Sequence, residues 1–243
     1  MFGYDEVLGR VRFAFTDRYG GASLPPYGEL NLGSAAGDEA EAIAENFRRV
    51  AAAFGVVPDA VVRVSQVHGR DVHVVGPDDE LPVRPTPKAD ALVTTRTDVV
   101  LAVRAADCLP VLLADSGNGV VGAAHSGRRG LYAGVVPATV EAMRDLGAER
   151  ITAVLGPYAC GRCYEVPEEM RAEVAERVPA SYAETSWGTP SIDVAAGVTA
   201  QLAELGVEVV DATRCTIESE DLYSYRREGQ VSGRLAGLVR LGQ

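Results

Sequence analysis

Val99-Val100-Leu101-Ala102-Val103, Val111-Leu112-Leu113-Ala114 and Val120-Val121-Gly122-Ala123-Ala124 follow one another with no helix-length segment between them. Each run is short, rich in β-branched or small apolar residues, and bounded by Asp, Gly or Pro. Those are the marks of strands buried on both faces. Three such strands in direct succession break the strand-helix-strand rhythm of a doubly wound parallel sheet. With helices elsewhere in the chain, they predict an α+β fold with mixed β-sheets.

Outward from this centre, Val11–Thr16 alternates as a strand and ends in the Tyr19-Gly20-Gly21 turn. Strands are also expected at 61–67, 72–75, 151–155, 207–210 and 238–241. The clearest helix spans Asp38 to Phe54, with Ile43, Phe47, Val50, Ala51 and Phe54 at helical spacing. A second carries Pro137 near its start and ends at Gly147. A third opens at Pro167 with Met170, Val174 and Val178 inward. A fourth is capped by Asp193, with Val198, Leu202 and Leu205 inward. Residues 80–88 carry three prolines and read as a surface connection. No repeat or linker divides the chain, so residues 1–243 read as a single domain.

The 243 residues carry 34 acidic and 23 basic side chains, a net charge of −11. Such a balance argues against a nucleic-acid or anionic-membrane partner. Lys88 is the only lysine, which removes Schiff-base chemistry from consideration. The start has neither the basic nor the apolar region of a signal peptide, and no apolar run approaches a membrane span. Four cysteines are too few for a disulfide scaffold in a chain this long. A cytoplasmic protein with reduced thiols is expected.

Two of the three histidines stand where apolar runs give way to turn residues: His68 in Gln66-Val67-His68-Gly69 and His125 in Ala124-His125-Ser126-Gly127. Cys108 lies between them in Ala106-Asp107-Cys108-Leu109-Pro110. Two imidazoles and a thiolate form a ligand set for Zn²⁺ with a fourth position open. Taken singly, His68 could be a polar turn residue and Cys108 a buried small hydrophobe. His73, within a valine-rich strand, reads as structural. Arg128-Arg129 in a glycine-flanked turn suit an anion, with Arg129 and the turn glycines as a candidate phosphate cradle. Asp107, next to a candidate ligand, is a candidate proton carrier. The lone Cys160-Gly161-Arg162-Cys163 pair is weak evidence for chemistry and reads as a loop near the site.

Taken in order, the motifs resemble the laccase-domain, or polyphenol-oxidase-like, family. They include Phe15-Thr16-Asp17-Arg18-Tyr19-Gly20-Gly21, Tyr27-Gly28-Glu29-Leu30-Asn31-Leu32-Gly33 and the His68, Cys108 and His125 segments. Gly156-Pro157, Cys163-Tyr164-Glu165-Val166, Tyr223-Ser224-Tyr225-Arg226-Arg227 and Gly233-Arg234 complete the series. The resemblance implies a four-layer α/β/β/α sandwich and a zinc held by His68, Cys108 and His125. It implies purine nucleoside phosphorolysis and adenosine deamination, with purine nucleosides and phosphate as partners; a monomer or weak homodimer is expected. Arg18, Asn31 and Gln66 enter as substrate-binding candidates on the same ground. This chain departs from the family pattern at Ser126 (commonly alanine), Arg128 (commonly tryptophan) and Arg162 (commonly cysteine).

Copper polyphenol oxidation, which the family label suggests, fits poorly, because a multicopper centre needs more imidazoles than three histidines supply. Two other readings use the same residues. Cys108 as a metal-free nucleophile with His125 as its base would make a cysteine amidase acting on a cell-wall precursor or peptide. A zinc acting only as a structural pin would make a binding module.

Overall fold

A computed structural model describes residues 1–34 and 37–242. The chain runs β1 (Phe2–Leu8), β2 (Val11–Thr16), α1 (Ala40–Ala53), β3 (Val61–Arg63), β4 (Val72–Val75), β5 (Ala91–Thr94), β6 (Val100–Ala105), β7 (Leu109–Asp115), β8 (Val120–Ser126), α2 (Arg128–Ala133), α3 (Val135–Asp145), β9 (Thr152–Leu155), α4 (Glu168–Arg177), β10 (Tyr182–Glu184), β11 (Pro190–Ile192), α5 (Val194–Glu204), β12 (Glu208–Asp211), α6 (Tyr225–Glu228) and β13 (Leu235–Leu241). One mixed sheet has the order β1-β2-β13-β6-β3 and the other β12-β9-β7-β8-β5-β4; β10 and β11 form a small hairpin. Among the described residues, no helix is long and apolar enough to cross a membrane.

The apolar runs are continuous because each central strand serves two cores. On β7, Leu112 and Ala114 face the layer between the sheets, while Leu109, Val111 and Leu113 face a helical layer. On β6, Leu101 and Val103 face the inter-sheet layer, and Val100 and Ala102 pack under α1 with Ile43, Phe47 and Val50. The period-two alternation of side chains thus sends apolar groups both ways. Helix α1 covers the five-stranded sheet. Leu131, Val140, Met143, Val174, Val198 and Leu202 of α2 to α5 cover the six-stranded one. The result is the expected four-layer α/β/β/α sandwich.

Helix α1 has the expected inward face, and Asp193 caps α5 by accepting from the Ala196 N–H at 3.0 Å. Four strand regions differ from expectation, one of them the unforeseen β10–β11 hairpin. β1 is an edge strand with little burial, so it carries no apolar alternation. β5 is only four residues long, buried throughout and preceded by the proline-rich connection. The strand expected over 61–67 stops at Arg63, and Ser65 makes only an isolated bridge to Lys88. Arg128-Arg129 open α2 rather than lying in a turn, and Gly134, at φ 82°, separates α2 from α3.

Leu112 is fully buried between the sheets. Leu112→Ala should lower unfolding stability by about 2–5 kcal/mol, read as a lower urea midpoint at unchanged slope. Val74→Ala, on an exposed position of β4, should stay within about 0.5 kcal/mol. A loss below about 1 kcal/mol for Leu112→Ala would mean that the layer closes over the void.

Candidate metal and substrate site

The central residue of the site is Asp90, which immediately precedes β5 and is wholly buried. Its carboxylate accepts the backbone N–H groups of Val67, His68 and Gly69 at 3.1, 2.9 and 2.6 Å. His68 adopts φ 60°, a left-handed conformation unusual outside glycine, and these three bonds hold the loop in it. The same carboxylate lies 3.0 Å from His125 Nδ1. Burial opposes the Asp90 charge, but His125 and the loop N–H groups outweigh it and bring the carboxyl down to about 2. It is therefore an ionised acceptor, Nδ1–H of His125 is the donor, and Nε2 is the nitrogen left to face Cys108.

Cys108 reaches the same point from the chain that crosses from β6 in one sheet to β7 in the other. Asp107, at φ 87°, makes that reversal. The ligand atoms of His68, Cys108 and His125 lie within 4.8 Å of one another, with the two imidazole centroids 4.9 Å apart and the rings at 72°. Gly127 makes room for them, since a Cβ there would stand 2.6 Å from Cys108 Sγ. Burial pushes the Cys108 thiol up, yet the adjoining His125 and His68 outweigh it and lower the pKa. Burial likewise disfavours a charged His125, but Cys108 and Asp90 outweigh it and raise the pKa. Two imidazoles, one of them oriented by a carboxylate, and a thiol biased toward thiolate fit a three-ligand metal centre.

All three side chains line a cavity of about 530 Å³, within the range of small-molecule sites. Tyr164 and Tyr225 form part of its wall, and Arg104, Arg226 and Arg234 make it cationic in an otherwise acidic protein. Arg104 donates through Nη2 to the Val64 carbonyl, and its Nε is buried without a partner. Burial, with Arg63 and Arg234 nearby, pushes Arg104 down to about 10. No carboxylate forms an ion pair with it among the described residues. The pocket thus presents an uncompensated cation beside the ligand cluster.

The sequence profile described as multi-copper polyphenol oxidoreductase laccase matches residues 12–242. The chain belongs to that family. It is 59% identical over 242 residues to the purine nucleoside phosphorylase ORF3 of Streptomyces griseus, covering 97% of this chain and 96% of that one. It is 40% identical over 228 residues to the purine nucleoside phosphorylase YfiH of Escherichia coli, covering 92% and 91%. The crystal structure of the Neisseria meningitidis protein NMB0706 superposes with a TM-score of 0.85 at 33% identity, covering 98% and 96%.

In this laccase-family chain, the expected site residues fall into distinct groups. His68, Cys108, His125, Asp107 and Gln66 line one cavity. Both ends of the Gln66 amide are bonded to the Arg104 backbone, at 2.7 and 2.9 Å. Asp107 accepts from Thr216 Oγ1 at 2.6 Å and from the Arg226 N–H at 2.7 Å. Asn31 is buried just behind the wall, where its Oδ1 accepts the Gly33 and Arg234 N–H groups. Arg18 pairs with Glu228 at 2.8 Å and, like the exposed Arg129 on α2, is not among the cavity-lining residues. His73 remains on β4, apart from the cluster.

Asp90, Arg104 and Thr216 were missed in the sequence. Asp90 follows a lysine and an alanine in an ordinary loop, and nothing local marks it as the partner of residues 22 and 35 positions away. Arg104 ends an apolar run, where a lone cation reads as a strand boundary. Asp90→Asn should reduce the affinity of the His68 cluster for a divalent metal ion roughly ten- to a hundredfold, as removal of an outer-shell carboxylate does. Competition titration with a chromophoric chelator measures it, and unchanged affinity would show that the His68 loop is held by other contacts.

Proposed function

We propose that this chain is a zinc-dependent purine nucleoside phosphorylase that acts on adenosine and inosine with phosphate and also deaminates adenosine. The observation that carries this reading is one cavity holding both a three-ligand cluster and a half-buried arginine whose Nε is buried and which has no anionic partner among the described residues. The names of the Streptomyces and Escherichia coli relatives support the reaction class.

In phosphorolysis a phosphate oxygen bonds to ribose C1′ as the C1′–N9 bond breaks and its electron pair leaves on the purine. The transition state gathers positive charge on the sugar and negative charge on the base, so the phosphate must be held and aimed. Arg104 and Arg234 are the proposed cradle, with Asn31 fixing the Arg234 backbone behind them. Tyr164, with the Arg226 guanidinium 4.6 Å from its ring centroid, offers the purine a flat wall. In deamination water adds at C6 and ammonia departs. Asp107, held in the cavity by Thr216 and the Arg226 N–H, is the proposed proton carrier. Zinc bound by His68, Cys108 and His125 supplies Lewis acidity to the cavity.

Zinc is preferred to copper on the donors present. A multicopper centre exceeds three histidines, and a blue-copper site would add a weak axial thioether or amide oxygen to its two imidazoles and thiolate; the Gln66 amide oxygen is taken by the Arg104 N–H. None of Met1, Met143 or Met170 lines the cavity. The expected cytoplasmic location and monomeric or weakly dimeric state remain part of the proposal.

A second reading is favoured by one feature, the Cys108–His125–Asp90 chain, which has the order of a nucleophile, a base and an orienting carboxylate. Metal removal separates the two. Chelation should abolish phosphorolysis and zinc should restore it. Full turnover of metal-free protein, with loss on Cys108→Ser, would favour the cysteine-amidase reading.

Arg104→Gln should lower kcat/KM for phosphate roughly ten- to a hundredfold, because a charge-assisted contact is removed. Adenosine deamination, which needs no phosphate, should fall much less. A product assay with and without phosphate measures both. Equal losses would make Arg104 a structural residue, and a phosphate-specific loss in Arg129→Ala instead would move the cradle to α2.

A further inference from the structure

The Cys160-Gly161-Arg162-Cys163 pair does not stand alone. Beyond β9 the chain makes a tight turn in which the Cys163 and Tyr164 N–H groups both donate to the Cys160 carbonyl at 2.9 Å. Opposite it runs the segment after β12. An isolated parallel bridge joins Tyr158 to Cys215, with Tyr158 N–H on the Arg214 carbonyl at 3.0 Å and Thr216 N–H on the Tyr158 carbonyl at 2.9 Å. That bridge delivers a third thiol to the turn. The sulfurs of Cys160, Cys163 and Cys215 and a carboxylate oxygen of Glu218 all lie within 4.8 Å of one another. Residues far apart in sequence therefore supply four donors at one point.

The turn that presents the cysteines is rigidly backed. A Cβ on Gly161 would stand 2.7 Å from Asp193 Cβ at the start of α5. Ser191 Oγ donates to the carbonyls of Gly161 and Tyr164. All four cysteines of the chain are free thiols, so the three at this point keep their sulfurs as donors. Arg162 lies 3.6 Å from Glu218 and places a positive charge beside a donor set that is strongly negative when deprotonated.

We propose that Cys160, Cys163, Cys215 and Glu218 bind a second divalent metal ion, zinc by its chemistry, at a closed structural site separate from the His68 cluster. Three thiolates and a carboxylate fill a tetrahedral shell. At about 2.3 Å per Zn–S bond, the sulfurs of such a shell stand roughly 3.8 Å apart, inside the 4.8 Å within which the four donors lie. A disulfide would use two of the four donors, leaving one thiol and the carboxylate unexplained. The ion would clamp two loops that reach the cavity: Tyr164 directly follows Cys163, and Thr216, which donates to Asp107, directly follows Cys215. Thus it would hold a wall of the cavity without touching substrate.

Cobalt(II) binding to the Cys108→Ser variant tests this with the His68 cluster stripped of its thiol. One equivalent should produce intense thiolate-to-cobalt charge-transfer absorption with tetrahedral ligand-field bands, and excess zinc should bleach both. Wild-type protein loaded with zinc under reducing conditions should retain two ions per chain. Cys108→Ser and the Cys163→Ser/Cys215→Ser double variant should each retain one. If the double variant does not fold, the cobalt spectrum of Cys108→Ser still decides. Absence of charge-transfer absorption in reduced Cys108→Ser would overturn the proposal. So would a Cys160–Cys163 disulfide in the peptide map of protein that, once reduced, takes up no cobalt.

Discussion

The ligand cluster depends on one buried carboxylate. Asp90 binds the loop around His68 through three backbone N–H groups and the ring of His125 through Nδ1. An ionised carboxylate is expensive to bury unless its lone pairs are filled, and here four donors fill them. Those contacts sustain a left-handed histidine and turn the other nitrogen of His125 toward Cys108. The geometry of the cluster is thus fixed by the protein's own groups.

The arginines follow the opposite logic. Elsewhere in the molecule guanidinium groups close on carboxylates, as Arg18 does on Glu228 and Arg214 on Asp221. Inside the cavity Arg104 has a backbone carbonyl and an orphaned Nε. Keeping a desolvated cation without a counter-ion is unfavourable in a folded chain, and an anionic ligand relieves it. The acidity of the chain as a whole adds contrast, since a net charge of −11 coexists with three arginines at one concave site.

Much of the architecture was legible because Leu112, Val111 and their neighbours report burial on both faces, and because Ile43, Phe47 and Val50 report a single helical stripe. Edge strands such as β1 escaped, since solvent on one side removes the apolar signal. His68, Cys108 and His125 were legible as residue types at strand ends. What holds them was not, because Asp90 acts through backbone groups and leaves no pattern of side-chain types. The cysteine pair at 160 and 163 looked isolated for a related reason. Its companion Cys215 arrives through a bridge between segments more than fifty residues apart, and pairing over such a distance is a property of the fold.

The crossing of the chain at Cys108 has a mechanical side. His68 leaves the five-stranded sheet, His125 ends a strand of the six-stranded sheet, and Cys108 lies on the passage between them. All three donors are nevertheless anchored at the six-stranded leaf: His68 through Asp90 ahead of β5, Cys108 directly before β7 and His125 at the end of β8. Arg104 belongs to β6 of the other leaf. A slide of one leaf on the other, however remote from the cleft, would leave the cluster intact and change its distance from the cation.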